Sequence, residues 1–271
     1  DAYRKNLYTG GSFFLNKQNY QRAFTLFSAY IDCAKQPLFQ SYDYTTKDKR
    51  LPSAAFYALY SGYRANDPVA TLRYKDLAEA DTARLQLTLQ YVADTYRAQG
   101  DTIGYVSTLE KGFDKNPVSE YFFTHLFDYR FQRGDTTQAL TLCSRSLAIN
   151  AKSKVAMLAK SAVLLTMQHY NECVQLCDAI IALDDSLADA YLNAGLAYFN
   201  QAVKIDNAPK HTRAERAKML EFYRNSLKYM QTYRKLAPTR KDLWAMPLYT
   251  IYLNLNMGKE FVEMDAIIKS L

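Results

Sequence analysis

Apolar residues recur at intervals of three and four over most of the chain, the spacing that lines one face of a helix. In RLQLTLQYVADTYRAQGD (Arg84 to Asp101) and SEYFFTHLFDYRFQRGD (Ser119 to Asp135) this pattern stops at a Gly-Asp pair, and a second helical pattern begins after it. The glycines of the two pairs, Gly100 and Gly134, are 34 residues apart. The same step carries Leu89 to Phe123, Met157 and Tyr191, and carries Ala93 to Phe127, Ser161 and Gly195. Downstream of each pair, Tyr105, Ala139 and Cys173 share one phase, Leu109, Cys143 and Cys177 a second, and Gly112, Ser146 and Ile180 a third. The segments close on DKNP, AINA or ALDD, where asparagine, aspartate and proline disfavour further helix. Each unit therefore predicts two antiparallel helices joined by a tight turn.

A 34-residue helix-turn-helix unit with this alternation of large, small and aromatic positions resembles the tetratricopeptide repeat. The stretch ADAYLNAGLAYFNQA, Ala188 to Ala202, is the nearest single match. Its Gly195 costs about 1 kcal/mol relative to alanine inside a helix. The explanation expected is a close crossing of two helices, where a larger side chain would push the backbones apart. Phe127 is bulky at that phase, so its unit is expected to repack.

The resemblance implies an all-α fold, an α-solenoid of antiparallel helix pairs wound as a right-handed superhelix. The units predicted for this single domain, 1–271, are approximately 4–37, 52–80, 86–119, 120–153, 154–187, 188–238 and 241–271, the second of them degenerate. Two interruptions stand out. Residues 35–52, rich in tyrosine and basic residues, read as a surface loop or a partner contact. The sixth unit carries an insertion at 203–221 in which TRAE reads as a capping box on Thr212 and Glu215. A helix from there to Leu236 is predicted to project beyond its neighbours.

Composition agrees with helices. The 271 residues include only nine glycines and seven prolines, too few to punctuate an all-β fold, while 49% hydrophobic and 23% charged residues fit a folded chain. The longest weakly polar run, Ala156 to Met167, contains Lys160 and is too short to span a bilayer. The first residue is Asp1, which fits a chain exported to the periplasm after loss of a leader, with cytoplasmic residence as the alternative. The formal net charge of +7 would suit an acidic partner only if it were concentrated on one surface.

Catalytic chemistry is hard to assemble. The three histidines, His125, His169 and His211, lie on a first helix, at a turn and in the insertion, with no phosphate loop, nucleophile elbow or zinc-protease motif beside them. His169, Cys173 and Cys177 are spaced four apart, with Cys143 one repeat away, a set that could hold zinc. Cys173 and Cys177, however, share phases with Ala139 and Cys143, so buried packing is expected, with no metal and no cofactor. Most tyrosines and phenylalanines also fall on packing phases.

The resemblance implies a non-catalytic protein-protein interaction scaffold whose concave groove, built from first helices, holds a peptide or a partner segment. Residues expected to line the groove are Tyr91, Asp94, Tyr121, His125, Asp128, Asp189, Asn193 and Asn200. Asp94, Asp128 and Asp189 with no basic neighbour at these phases favour a neutral or basic peptide. Chaperone-binding relatives grip a terminal carboxylate with lysine, arginine and asparagine, but here acids stand where the bases belong. The alternative is a nucleic-acid-binding helical repeat, which the acidic groove argues against. An enzyme is the third reading and has no motif.

Overall fold

A computed structural model describes residues 2–39 and 43–270. The chain divides into two compact units, residues 1–126 and 127–271. In the first, α1 (Ala2–Asn16) and α2 (Tyr20–Asp32) form a hairpin. Short turns at Cys33–Lys35 and Pro37–Phe39 and the single-turn α3 (Tyr44–Lys47) lead to α4 (Leu51–Arg64). Two short helices follow, α5 (Pro68–Leu72) and α6 (Lys75–Ala78), then the pair α7 (Leu85–Gln99) and α8 (Thr102–Lys115). Helix α9 (Glu120–Gln132) carries the unit boundary. The second unit continues with α10 (Thr136–Ile149), α11 (Lys154–Thr166), α12 (Tyr170–Leu183), α13 (Ala188–Asp206), α14 (Arg213–Leu236), α15 (Lys241–Asn254) and α16 (Gly258–Lys269). No strand occurs among the described residues.

The Gly-Asp pairs serve both helices that they join. Gly100 and Gly134 adopt φ of 73° and 76°, the left-handed conformation that ends a helix at little cost only in glycine. The next residue caps the following helix: Asp101 accepts from the amide of Gly104, and Asp135 from that of Gln138. Gln18, Asn66, Gln168 and Asn256 take the same left-handed conformation in the corresponding turns. At the sixth pair the capping box is formed: the amide of Glu215 donates to Thr212 Oγ1 at 3.2 Å, and the amide of Thr212 donates to Glu215 Oε2 at 2.7 Å.

Gly195 sits where α13 meets α14. A Cβ there would lie 2.7 Å from Met230 Sδ, and the Ser226 hydroxyl donates to the Gly195 carbonyl at 2.8 Å. Phe127, at the same phase, is buried and stacks on Phe131 with centroids 5.3 Å apart, so the bulk is absorbed by a ring-on-ring contact.

Three features depart from the sequence reading. The second helix of the degenerate unit is split into α5 and α6, with Asp67 capping the amide of Ala70 and Pro68 at the first turn. Residues 35–52 are not simply a solvated loop. Tyr44 is buried, and Asp48 pairs with Arg4 at 2.6 Å, so the segment is tied to α1; residues 40–42 of the same stretch lie outside the described set. In the insertion at 203–221 the helix predicted from the capping box to Leu236 is present as α14, and what differs is that α13 runs on to Asp206.

In the second unit Lys154 bridges the start of α11 to Asp184 at 2.7 Å, and the hydroxyl and amide of Ser186 also donate to that carboxylate. These contacts hold the Asp184 carboxyl down at about 2. A carboxylate depressed by its folded partners stabilises the protein above its unfolded pKa, and that contribution fades as pH falls toward 2. Carboxyl NMR of Lys154→Met should show the Asp184 midpoint moving up toward the ordinary value of about 3.9, with part of the depression kept by Ser186.

Candidate functional site

In the first unit, α4 and α7 pack side by side. The face that they share carries tyrosines at helical spacing. Tyr91 stands 4.5 Å from Tyr63 and 5.5 Å from Tyr60, centroid to centroid. One turn on, Asp94 collects three donors: the hydroxyl of Tyr121 at 2.8 Å, that of Tyr63 at 3.4 Å, and Arg97 Nη2 at 3.0 Å. Burial and the neighbouring carboxylate push the Tyr121 and Tyr63 hydroxyls upward, so both remain protonated donors to Asp94 near neutral pH. Tyr121 in turn meets His125 edge-on at 4.5 Å. Four of the eight residues expected in the groove, Tyr91, Asp94, Tyr121 and His125, thus belong to one contact network.

The charge there differs from the sequence expectation. Tyr63, Arg64, Asn66, Asp94, Arg97 and Ala98 line an open recess of about 530 Å³, so two guanidinium groups face one carboxylate. Arg64 is also held by its own helix, donating to the Tyr60 hydroxyl at 2.6 Å, and by α2, lying over the Tyr20 ring at 4.8 Å. Arg97, three residues after Asp94 on one helix, could have been found from spacing. Tyr60, Tyr63 and Arg64 fall in the degenerate unit, where the period no longer marks faces.

In the second unit, α11, α13 and α15 pack side by side. These helices carry half-buried apolar side chains packed against the core, Leu158 and Leu165 on α11 and Leu196 on α13, with exposed Met246 on α15, while the Phe199 ring turns toward α14 and meets Tyr223. Asn193 does not point freely from α13: its amide donates to Ser161 Oγ at 2.8 Å. Asn200 is half-buried beside it, while Asp128 and Asp189 are exposed. Leu196 falls on the spacing expected for the groove, whereas Leu158 and Leu165 lie one position away from the expected Ala159 and Thr166, where leucine at helical spacing looks like core.

The cysteine set does not assemble into a site. Cys143, Cys173 and Cys177 are fully buried, and burial pushes the Cys143 thiol up to about 12. The Cys173 thiol lies within hydrogen-bonding distance of the Ser161 carbonyl. His169 is about half exposed and pairs with Glu172 at 3.1 Å. Cys33 differs in being only half-buried, against Arg4. Among the described residues no group of three or more His, Cys, Asp or Glu is placed to hold a metal ion. No described helix is long and apolar enough to cross a membrane.

The architecture of stacked helix pairs is the fold of the tetratricopeptide-repeat proteins. The C-terminal part of a TPR repeat-containing protein from Cytophaga hutchinsonii superposes with a TM-score of 0.58 at 10% identity, over 95% of this chain and 92% of that one. The human IFIT1 dimer with m7Gppp-AAAA gives 0.54 at 12% identity, over 96% of this chain and 58% of its own. A MamA double mutant from RS-1 gives 0.50 at 16% identity, over 69% and 97%. At such identities the likeness is one of fold. No protein-family model and no curated protein matches the sequence.

Proposed function

We propose that this chain is a non-catalytic protein-interaction scaffold that holds a peptide or an extended partner segment on the faces of its first helices. The observation that carries this reading is the second unit's first helices: Leu158, Leu165 and Leu196 stay only half-buried on adjacent helices, with Asp189 exposed and Asn200 half-buried on α13. Partly accessible apolar side chains beside hydrogen-bonding ones are what a peptide backbone and its alternate side chains require. In the first unit Tyr91, Tyr63 and the Asp94–Arg97 pair offer a more polar contact. With Arg97 on Asp94, that contact suits a neutral segment rather than a basic one. Asp128 and Asp189 supply acceptors in the second unit.

Nucleic acid is the alternative reading, motivated by the fold likeness to IFIT1, whose structure holds m7Gppp-AAAA. On the described first-helix faces Arg64 and Arg97 stand beside Asp94, with Asp128 and Asp189 exposed further on, an interrupted path for a phosphate backbone.

The experiment is affinity capture from a native lysate with the wild-type chain, Leu196→Ser and Asp189→Lys, beside a gel shift at low salt. The variants should retain their helical signal and lose captured partner by about tenfold, equivalent to about 1.4 kcal/mol. Undiminished capture by both, or a gel shift that survives physiological salt, would refute the groove reading.

A further inference from the structure

Helices α13 and α14 run past their neighbours. α13 has 19 residues against 13 in α11 and 14 in α15, and α14 has 24 against 14 in α12. At about 1.5 Å per residue, the surplus is roughly 8–9 Å on α13 and about 15 Å on α14. The extension is a packed body. Ala202, Met219 and Tyr223 are buried in it, with Val203, Ile205 and Leu220 packed on the same core. The Tyr223 hydroxyl donates to Asp206 at 3.2 Å, and the capping box holds the start of α14.

The outside of this projection is basic. Lys204, Lys210, Arg213, Arg216 and Lys218 are all exposed, and none of them forms an ion pair among the described residues. Arg224 and Lys228 continue the exposed face along α14. At about 100° per residue, Arg213, Arg224 and Lys228 fall within a sector of about 60°. The same segment carries three acids, Asp206, Glu215 and Glu221, against these seven bases, and so stays net positive. Asp206 is engaged by Tyr223, and Glu215 is engaged by the amide and hydroxyl of Thr212. Glu221, like Glu215, is exposed among the bases.

We propose that this projecting basic face is a second interaction surface, one that docks an acidic, Asp- and Glu-rich segment of a partner protein. It lies outside the first-helix faces and stands whether or not the groove binds a peptide. Unpaired charges on a preformed helix steer an oppositely charged segment and fix its register, and arginine forks match carboxylates in pairs. Two features favour a protein over a nucleic acid. The aromatic residues of the projection, Phe222 and Tyr223, are half-buried and buried, so no ring is free to stack on a base. Glu221 interrupts the positive path that a phosphate backbone would follow.

The test uses the full chain and a labelled poly-glutamate peptide, with a DNA duplex as the competing probe. Reversing Lys210, Arg213, Arg224 and Lys228 to glutamate should weaken peptide binding by about tenfold or more. The same number of reversals at exposed Lys5, Lys49, Lys152 and Lys241 should change it by less than about threefold. Glu221→Lys should tighten it. On the wild-type chain, bound peptide should protect Lys204, Lys210, Lys218 and Lys228 from acetylation and leave Lys5, Lys49, Lys152 and Lys241 reactive, a readout that needs no variant to fold. Equal losses from the two sets of reversals, or protection scattered over both sets of lysines, would overturn the proposal. Tighter binding of duplex than peptide at matched salt, lost with the same four residues, would assign the face to nucleic acid instead.

Discussion

Arg4→Met should destabilise the first unit by about 3 kcal/mol or more, because it strips the partner from a buried carboxylate. Arg4 is 6% exposed and Asp48 10%, with Nη1 and Oδ2 2.6 Å apart. The guanidinium lies 4.1 Å from the centre of the Tyr30 ring and 4.0 Å from that of Tyr44, and its Nε donates to the Tyr30 carbonyl at 3.3 Å. Asp48 also accepts from the Tyr30 hydroxyl at 2.8 Å. Methionine fills similar volume and contacts the rings, but leaves Asp48 charged, buried and short of its counter-ion. Trypsin should then cut after Lys47, Lys49 or Arg50 well before global unfolding. Pairing the change with Asp48→Asn should recover part of the loss, since the stranded charge is gone. An unfolding free energy from urea within about 0.5 kcal/mol of wild type would show that the pair is not buried in solution.

The second large effect is expected at Gly62. A Cβ there would stand 2.5 Å from the amide nitrogen of Thr71 and 2.7 Å from the carbonyl carbon of Ala70, so the added methyl meets main chain. Alanine is the better helix former by about 1 kcal/mol, and an open site would gain from the change. Here α4 and α5 must separate, which costs about 1–3 kcal/mol and outweighs the propensity gain. Gly258→Ala, with nothing within 4 Å of the new methyl, is the control and should be neutral or mildly stabilising. Thermal or urea unfolding of the two variants should differ in sign. A stabilised Gly62→Ala would mean that α5 is free to shift. Gly195 is the milder case, because the nearest atoms belong to the flexible side chain of Met230.

What could be seen in the chain before folding was whatever is written within one turn or one repeat. The step of 34 residues defines the helix pairs, since each unit uses the same phases to pack. The Gly-Asp turns, the capping box on Thr212 and Glu215, and the close approach at Gly195 are set by residues near in sequence or by direct comparison with the next copy. The helical character of the groove positions, Tyr91 and Asp94 or Asn193 and Asn200, follows from the same spacing. Tertiary structure decided what each of those positions meets. Asp94 looked like a free acid, yet Tyr121, 27 residues away, and Tyr63, 31 residues away, turn it into a shared acceptor. Asn193 looked like a groove donor, yet Ser161 occupies its amide. The segment at 35–52 looked like a loop because its anchor, Arg4, is remote in sequence. Gly62 lies off the repeat phase, so only the approach of α5 shows why a side chain is excluded there. Periodicity reports which face of a helix is turned inward. Which charge finds a partner, and which backbone comes within 3 Å of another, depends on contacts between units whose own period has decayed.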